Sequence, residues 1–229
     1  MEVPRADALT PPAGARLIET MRVQADGALP LLDGHLARLA RSARALGYAP
    51  PQADLRDRLL GHAARLPRGQ AHRLRLLCDE RGACTLETGP LPALPAGPKL
   101  ALAPLPLSSQ EPLLRHKTTH RPWYQAAAAW LAAHPDHFDV LFLNERGELC
   151  EGSRSNVHLL RDGAWLTPPV SSGLLPGVQR EALLAAGLVR EAVLTRADLA
   201  RARGLRLSNG LRGWFDVTPG LTLPAWEGA

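Results

Sequence analysis

Two lysines, Lys99 and Lys117, stand among 27 basic residues in this chain. A lysine can give up its proton and act as a nucleophile or base, whereas an arginine stays protonated, so any amine chemistry here has two candidates. Lys117 lies in His116-Lys117-Thr118-Thr119-His120-Arg121, among hydroxyls and other cations. Such neighbours, with partial desolvation, lower a lysine's pKa; the plain alternative is a solvated surface lysine. His116 and His120 are spaced to suit a metal on a helix, but the segment has no carboxylate to complete the set, and no metal is expected. Three further stretches put functional side chains between apolar segments. Gly34-His35-Leu36-Ala37-Arg38-Leu39 carries Arg38 and His35, which alone read as a solvated arginine and a structural histidine. Leu149-Cys150-Glu151-Gly152-Ser153-Arg154-Ser155-Asn156-Val157 leads through a small-residue turn into a strand; Glu151 is a candidate acid/base or cofactor partner, with turn chemistry the alternative. Gly173-Leu174-Leu175-Pro176-Gly177-Val178-Gln179-Arg180 sets a glycine directly before a helix. The first N–H groups of that helix form either a phosphate site or a plain helix start.

The elements that must hold these residues follow from periodicity and punctuation. Residues 16–24 and 28–32 read as strands joined by the turn Ala25-Asp26-Gly27. Asp33 reads as an N-cap, and Leu36, Leu39, Ala43 and Leu46 recur behind it at helical spacing. A second helix spans 55–66. Strands are expected at 72–78 and 83–88, and again at 99–103. Proline excludes regular structure from the stretches flanking that last strand, GPLPALPAGP and PLPLSSQEP, and the domain boundary is placed near Leu107, giving 1–106 and 107–229. Beyond it come helix 122–134, strand 139–143, turn 144–147, strands 156–160 and 164–166, helix 178–186, and strands 189–194 and 205–208.

The length of 229 residues allows one large or two small domains, and 45 % apolar residues suffice for a packed core. No apolar run reaches the roughly 20 residues of a membrane span, and the N-terminus lacks an apolar signal core, so a cytoplasmic protein without membrane association is expected. Cys78 and Cys84 flank a turn and could face each other; with Cys150 they form a sparse, odd set, for which buried free thiols are the expectation. The net charge of +5 comes without a basic block interleaved with aromatics, which make up 4 %, and no nucleic-acid partner is expected.

Together and in order, these stretches resemble the class IV aminotransferase family, the fold-type IV pyridoxal 5′-phosphate (PLP) enzymes, from about Leu17 to Val217. LIETMRV is similar to the family's first strand. HLARL matches H-x-x-R-L, whose arginine binds the cofactor phosphate, which implies Arg38. Lys117 falls where the family keeps its Schiff-base lysine. EGSRSN matches the E-x-x-x-x-N turn whose glutamate meets the pyridine nitrogen, which implies Glu151. GLLPGVQR resembles the phosphate-binding turn, implying the Val178 and Gln179 N–H groups, and Ser208-Asn209-Gly210 resembles the later turn over the same phosphate. The fold implied is mixed α/β (α+β), with a small N-terminal domain and a larger mixed-sheet C-terminal domain, assembled as a homodimer. Within the family the likeness is nearest the aminodeoxychorismate lyases, on HKTTHRPWY and on Thr20 and Arg22 in the first strand. This implies a folate-pathway reaction in which 4-amino-4-deoxychorismate becomes 4-aminobenzoate and pyruvate, with Lys117, Glu151 and Thr20 at the chemistry. Arg22, Arg121, Arg154 and Arg212 are the expected partners of this anionic substrate. The alternative is an aminotransferase for D- or branched-chain amino acids. The tyrosine that some transaminases place five residues past the lysine is Pro122 here, and Tyr124 is expected to face elsewhere.

Overall fold

The computed structural model describes residues 9–94, 96–218 and 221–222, and within them the chain forms two units. The first runs to Leu91 and takes in His116–His120; the second comprises Pro92–Arg115 and the chain from Arg121 onward. The passage between units falls at Leu91/Pro92 rather than near Leu107. Strand pairing explains the difference: residues 99–102 belong to a sheet of the second unit, while the segment around Lys117 pairs with the first strand of the chain.

The first unit contains β1 (Leu17–Val23), α1 (Leu32–Ala45), α2 (Leu55–Ala64), β2 (His72–Cys78) and β3 (Cys84–Pro90). The strands form an antiparallel sheet in the order β1-β2-β3. Side chains alternate along a strand, so Leu17, Glu19, Met21 and Val23 share the face that packs on α1, and all four are buried. The other edge of β1 is taken by the lysine segment. Ile18 N–H donates to Lys117 O at 2.8 Å, and Thr119 N–H donates to Arg16 O at 2.8 Å.

The strand expected at 28–32 is absent. A turn closes instead, with Gln24 N–H donating to Ala28 O, and α1 begins at Leu32. Asp33 does not cap α1; it lies inside the first turn, where its charge suits the helix dipole, and pairs with Arg56. Cys78 and Cys84 form a disulfide, in place of the free thiols expected. The hairpin register sets them directly opposite each other, 4.2 Å apart at Cα. Cys150 is free and buried.

The second unit contains β4 (Lys99–Leu102), α3 (Gln125–Ala133), β5 (His137–Leu143), β6 (Leu149–Gly152), β7 (Asn156–Arg161), β8 (Ala164–Thr167), α4 (Val178–Ala185), β9 (Arg190–Glu191), α5 (Arg196–Arg201), β10 (Gly204–Asn209), β11 (Gly213–Asp216) and β12 (Leu221–Thr222). Two sheets result, ordered β12-β4-β5-β6 and β11-β10-β7-β8-β9. Leu100, Leu141 and Leu149 from one pack with Val157, Leu159 and Leu207 from the other. A second cluster joins Ala101, Val140 and Phe142 to Ala127 and Leu131 of α3. β5 is therefore covered on both faces, and its Val140–Leu143 stretch is continuously apolar, as suits a strand paired in parallel with β4. The helix expected over 122–134 is a 3-10 turn, Pro122–Tyr124, followed by α3. α5 and β11 were not anticipated; α5 is a short helix fixed by a Thr195/Asp198 capping box. Among the described residues no helix is long and apolar enough to cross a membrane.

Candidate active site

In the first unit the lysine segment is clamped at several points. Besides its pairing with β1, Thr119 Oγ1 accepts Arg16 N–H at 2.9 Å, Thr118 Oγ1 donates to His120 O at 2.9 Å, and His116 Nδ1 meets Ser42 Oγ of α1 at 3.0 Å. Thr118 is opposite Leu17 and wholly buried, so Lys117 stands beside Ile18 on the alternate sheet face. Thr20 and Arg22 follow on that same face, with Arg75 and Arg73 opposite them on β2. The structure thus brings Lys117, Thr20 and Arg22 to one side of one sheet.

Arg38 is not solvated. It is 5 % exposed, and its Nε and Nη2 donate to the two carboxylate oxygens of Glu19 at 2.9 and 2.5 Å. His35 Nδ1 meets Glu19 Oε2 at 2.6 Å. Burial alone would raise the Glu19 pKa, but the Arg38 charge and the hydrogen bonds from His35 and Arg38 outweigh it and hold the carboxyl at about 2. Glu19 drew no attention in the sequence; a carboxylate at a position whose neighbours alternate inward was the signal available.

In the second unit Glu151 is the penultimate residue of β6 and is 4 % exposed. Its Oε1 accepts from Tyr124 Oη at 2.6 Å and from Leu175 N–H at 3.1 Å. Its Oε2 has Asn156 Nδ2 at 3.5 Å, and the same amide donates to Leu175 O at 2.9 Å. Asn156 and Glu151 thus bind the EGSRSN turn to the GLLPGV turn. Burial pushes the Glu151 pKa up to about 7, against the opposing pull of Tyr124, Leu175 N–H and Arg121. Tyr124, expected to face elsewhere than the tyrosine missing from position 122, has its hydroxyl on Glu151. The 3-10 turn that begins at Pro122 swings its hydroxyl onto Glu151.

The turn itself is held from below by Asp139, a carboxylate inside the apolar strand β5. It accepts from Ser153 Oγ at 2.6 Å, Ser155 Oγ at 2.5 Å, Val140 N–H at 2.8 Å and Arg154 N–H at 3.2 Å. A Cβ at Gly152 would overlap Asp139, so only glycine fits there. Burial raises the Asp139 pKa despite these donors. Sequence reasoning passed over it, although a charged residue within FDVLFL demands partners.

Val178 and Gln179 open α4 as expected, with Gly177 at the N-cap and no side chain capping the first turn. A Cβ on Gly177 would strike Asn156 Oδ1. Asn209 ends β10 and folds over its own turn, its Oδ1 accepting Leu211 and Arg212 N–H at 3.1 and 2.8 Å; Gly210 is the next residue of that turn. Beside it, buried Ser208 meets His158 Nε2 at 2.8 Å. Burial, then Arg180 and Arg206, lower the His158 pKa to about 3, so the ring stays neutral. Of the arginines expected at substrate, Arg121 donates to Ser153 O at 2.5 Å and lies over the Tyr124 ring, Arg154 lies over Phe138, and Arg212 donates to Pro92 O. Arg22 is exposed on β1.

Comparison with known proteins places this geometry. The family model for class IV amino-transferases matches residues 16–219. A Schizosaccharomyces pombe protein provisionally named aminodeoxychorismate lyase is 32 % identical over 193 residues, covering 82 % of this chain and 83 % of its own. A solved Mesorhizobium loti structure, provisionally named as an amino-acid aminotransferase, is 39 % identical with a TM-score of 0.77, over 92 % of this chain and all of its own. The PLP-bound form of a hypothetical aminotransferase from Mycobacterium tuberculosis is 26 % identical with a TM-score of 0.73, over 97 % of this chain and 89 % of its own. The likeness spans both units, the three-sheet mixed α/β fold is the one expected, and the chain belongs to the class IV aminotransferase family.

Proposed function

We propose that this chain is a PLP-dependent lyase that converts 4-amino-4-deoxychorismate to 4-aminobenzoate and pyruvate. The observation that carries the cofactor is Glu151: a buried carboxyl with Oε1 anchored by two donors and Oε2 engaged by a single long contact. Such an arrangement fits a pyridine nitrogen, whose protonated form needs a carboxylate. When bound, PLP supplies an electron sink for charge developing at the carbon that bears the substrate amine. Lys117 would hold the cofactor, and its amine, freed when the substrate amine takes its place, would take and return the proton. Glu151 would keep the ring nitrogen protonated. Arg38 and the Val178 and Gln179 N–H groups would bind the phosphate, joined by the turn at Asn209 and Gly210. In the lyase reading Lys117 would take the proton from the substrate ring and return one to the departing enolpyruvate, which leaves as pyruvate while aromatisation of the ring drives the step.

Preference for the lyase rests on HKTTHRPWY, on Thr20 and Arg22 sharing the sheet face of Lys117, and on Tyr124 being committed to Glu151. The Mesorhizobium likeness favours an aminotransferase instead. A transaminase must pass the amino group to the cofactor and needs an oxoacid to recover, whereas a lyase needs none. Borohydride should trap PLP on a peptide containing Lys117, and aminodeoxychorismate should give 4-aminobenzoate and pyruvate with no oxoacid present. An adduct on Lys99, or none, ends the cofactor reading. Rapid conversion to pyridoxamine phosphate by a simple amino acid, with no pyruvate from aminodeoxychorismate, makes the aminotransferase reading the right one.

A further inference from the structure

Glu151 has a partner that the family motifs do not supply. We infer that Tyr124 is a positioning residue for Glu151: its hydroxyl, donated to Oε1 across 2.6 Å, turns the carboxyl so that Oε2 is presented to the ring nitrogen, and decides how readily the carboxyl ionises. The inference rests on the reading of Glu151 as the ring-nitrogen partner.

The geometry behind it lies within the second unit. The Leu175 N–H, fixed by the backbone, and the Tyr124 hydroxyl converge on the same oxygen. A carboxyl held at one oxygen by two donors has a fixed plane, and the second oxygen then has one direction to face. Tyr124 is itself fixed. It is 6 % exposed, its ring meets Phe142 edge-on at 5.2 Å, and the Arg121 guanidinium lies over its other side at 4.5 Å. Arg121 is anchored in turn by Ser153 O, in the loop that Glu151 enters. That cation over the ring strengthens the phenol as a donor. The charged and titratable groups that act on the pair are Arg121, which favours ionised Glu151, Asp139, which opposes it, and Cys150, whose own thiol is pushed up by burial beside Glu151. Burial and the adjacent carboxylate keep Tyr124 protonated well beyond the usual phenol range, so it donates at every working pH. A neutral donor favours the ionised acceptor over the acid, so losing it makes Glu151 a weaker acid.

The test is the titration of Glu151 in the full-length chain freed of cofactor, followed by its carboxyl infrared band, with Glu151→Gln subtracted to identify it. Tyr124→Phe keeps the ring, its Phe142 contact and the surface under Arg121, and should raise the midpoint by about one pH unit. Site-specific 3,5-difluorotyrosine at 124, a stronger donor of nearly the same shape, should lower it. Opposite shifts are not the signature of a packing defect. An unchanged midpoint in both variants overturns the inference. Borohydride trapping on the same proteins after PLP is added back judges the cofactor separately: shifts without an adduct leave the Tyr124–Glu151 coupling standing and remove the PLP reading, and an adduct without shifts does the reverse.

Discussion

Glu19 in the first unit and Glu151 in the second are both carboxylates buried to within a few per cent, yet they are held in opposite states. Glu19 has a guanidinium fork and an imidazole, and its pKa falls to about 2. Glu151 has a phenol, an amide and a peptide N–H, all neutral, and burial carries its pKa up to about 7. Burial is common to the two, so it is the charge of the partners that decides. A permanently ionised carboxylate beside a fixed cation is an anchor: it locks α1 onto β1. A carboxyl poised near neutrality can change its state when a cation arrives, which is what a ring-nitrogen partner must do.

The comparison is tested most severely by Glu19→Ala, which leaves the Arg38 charge buried without its carboxylate. Unfolding in urea should show a loss of about 3–5 kcal/mol, and a loss no greater than that of Glu151→Gln would dissolve the contrast. The next test is pH. The unfolded chain releases the Glu151 proton near 4.5, and the folded chain keeps it until about 7. Stability from this group is therefore greatest below about 4.5, falls as pH rises through that window, and levels off above it. The fall is at most on the order of 3 kcal/mol. Glu19 runs the other way, its contribution complete above 4.5 and lost as pH falls toward about 2. Glu151→Gln should abolish the first slope and leave the second. The same variant should keep PLP yet turn over about 10–100-fold more slowly, since an amide cannot stabilise the protonated ring. The smallest effect belongs to Asp33→Ala. Its pair with Arg56 is exposed, and the unfolding midpoint should not move.

Much of the candidate site was legible because it is written in local chemistry. The glycine before α4, the lysine among hydroxyls and the E-x-x-x-x-N turn each depend on a few consecutive residues. What escaped was long-range pairing. Tyr124 reaches Glu151 across 27 positions, and Asp139 holds a turn 14 residues away, both through sheet and turn geometry that no local window contains. Arg38 read as solvated because its acceptor, Glu19, lies on another element. The strand expected at 28–32 failed for a related reason: alternation predicts a strand but not its neighbour, and β1 pairs with β2 and with a segment from the middle of the chain.

That last pairing has a consequence for how the protein is made. Leu17 waits for Thr118, a separation of about a hundred residues, before its edge is occupied. During synthesis at roughly 5–20 residues per second, β1 therefore emerges well before its partner and spends several seconds as an open sheet edge. An edge in that state invites pairing with other nascent chains. The segment that closes it is the one bearing Lys117, so protection of the early fold and arrival of that lysine are a single event on the ribosome. A chain truncated after Leu91 would lack both, and should aggregate where the 229-residue chain does not.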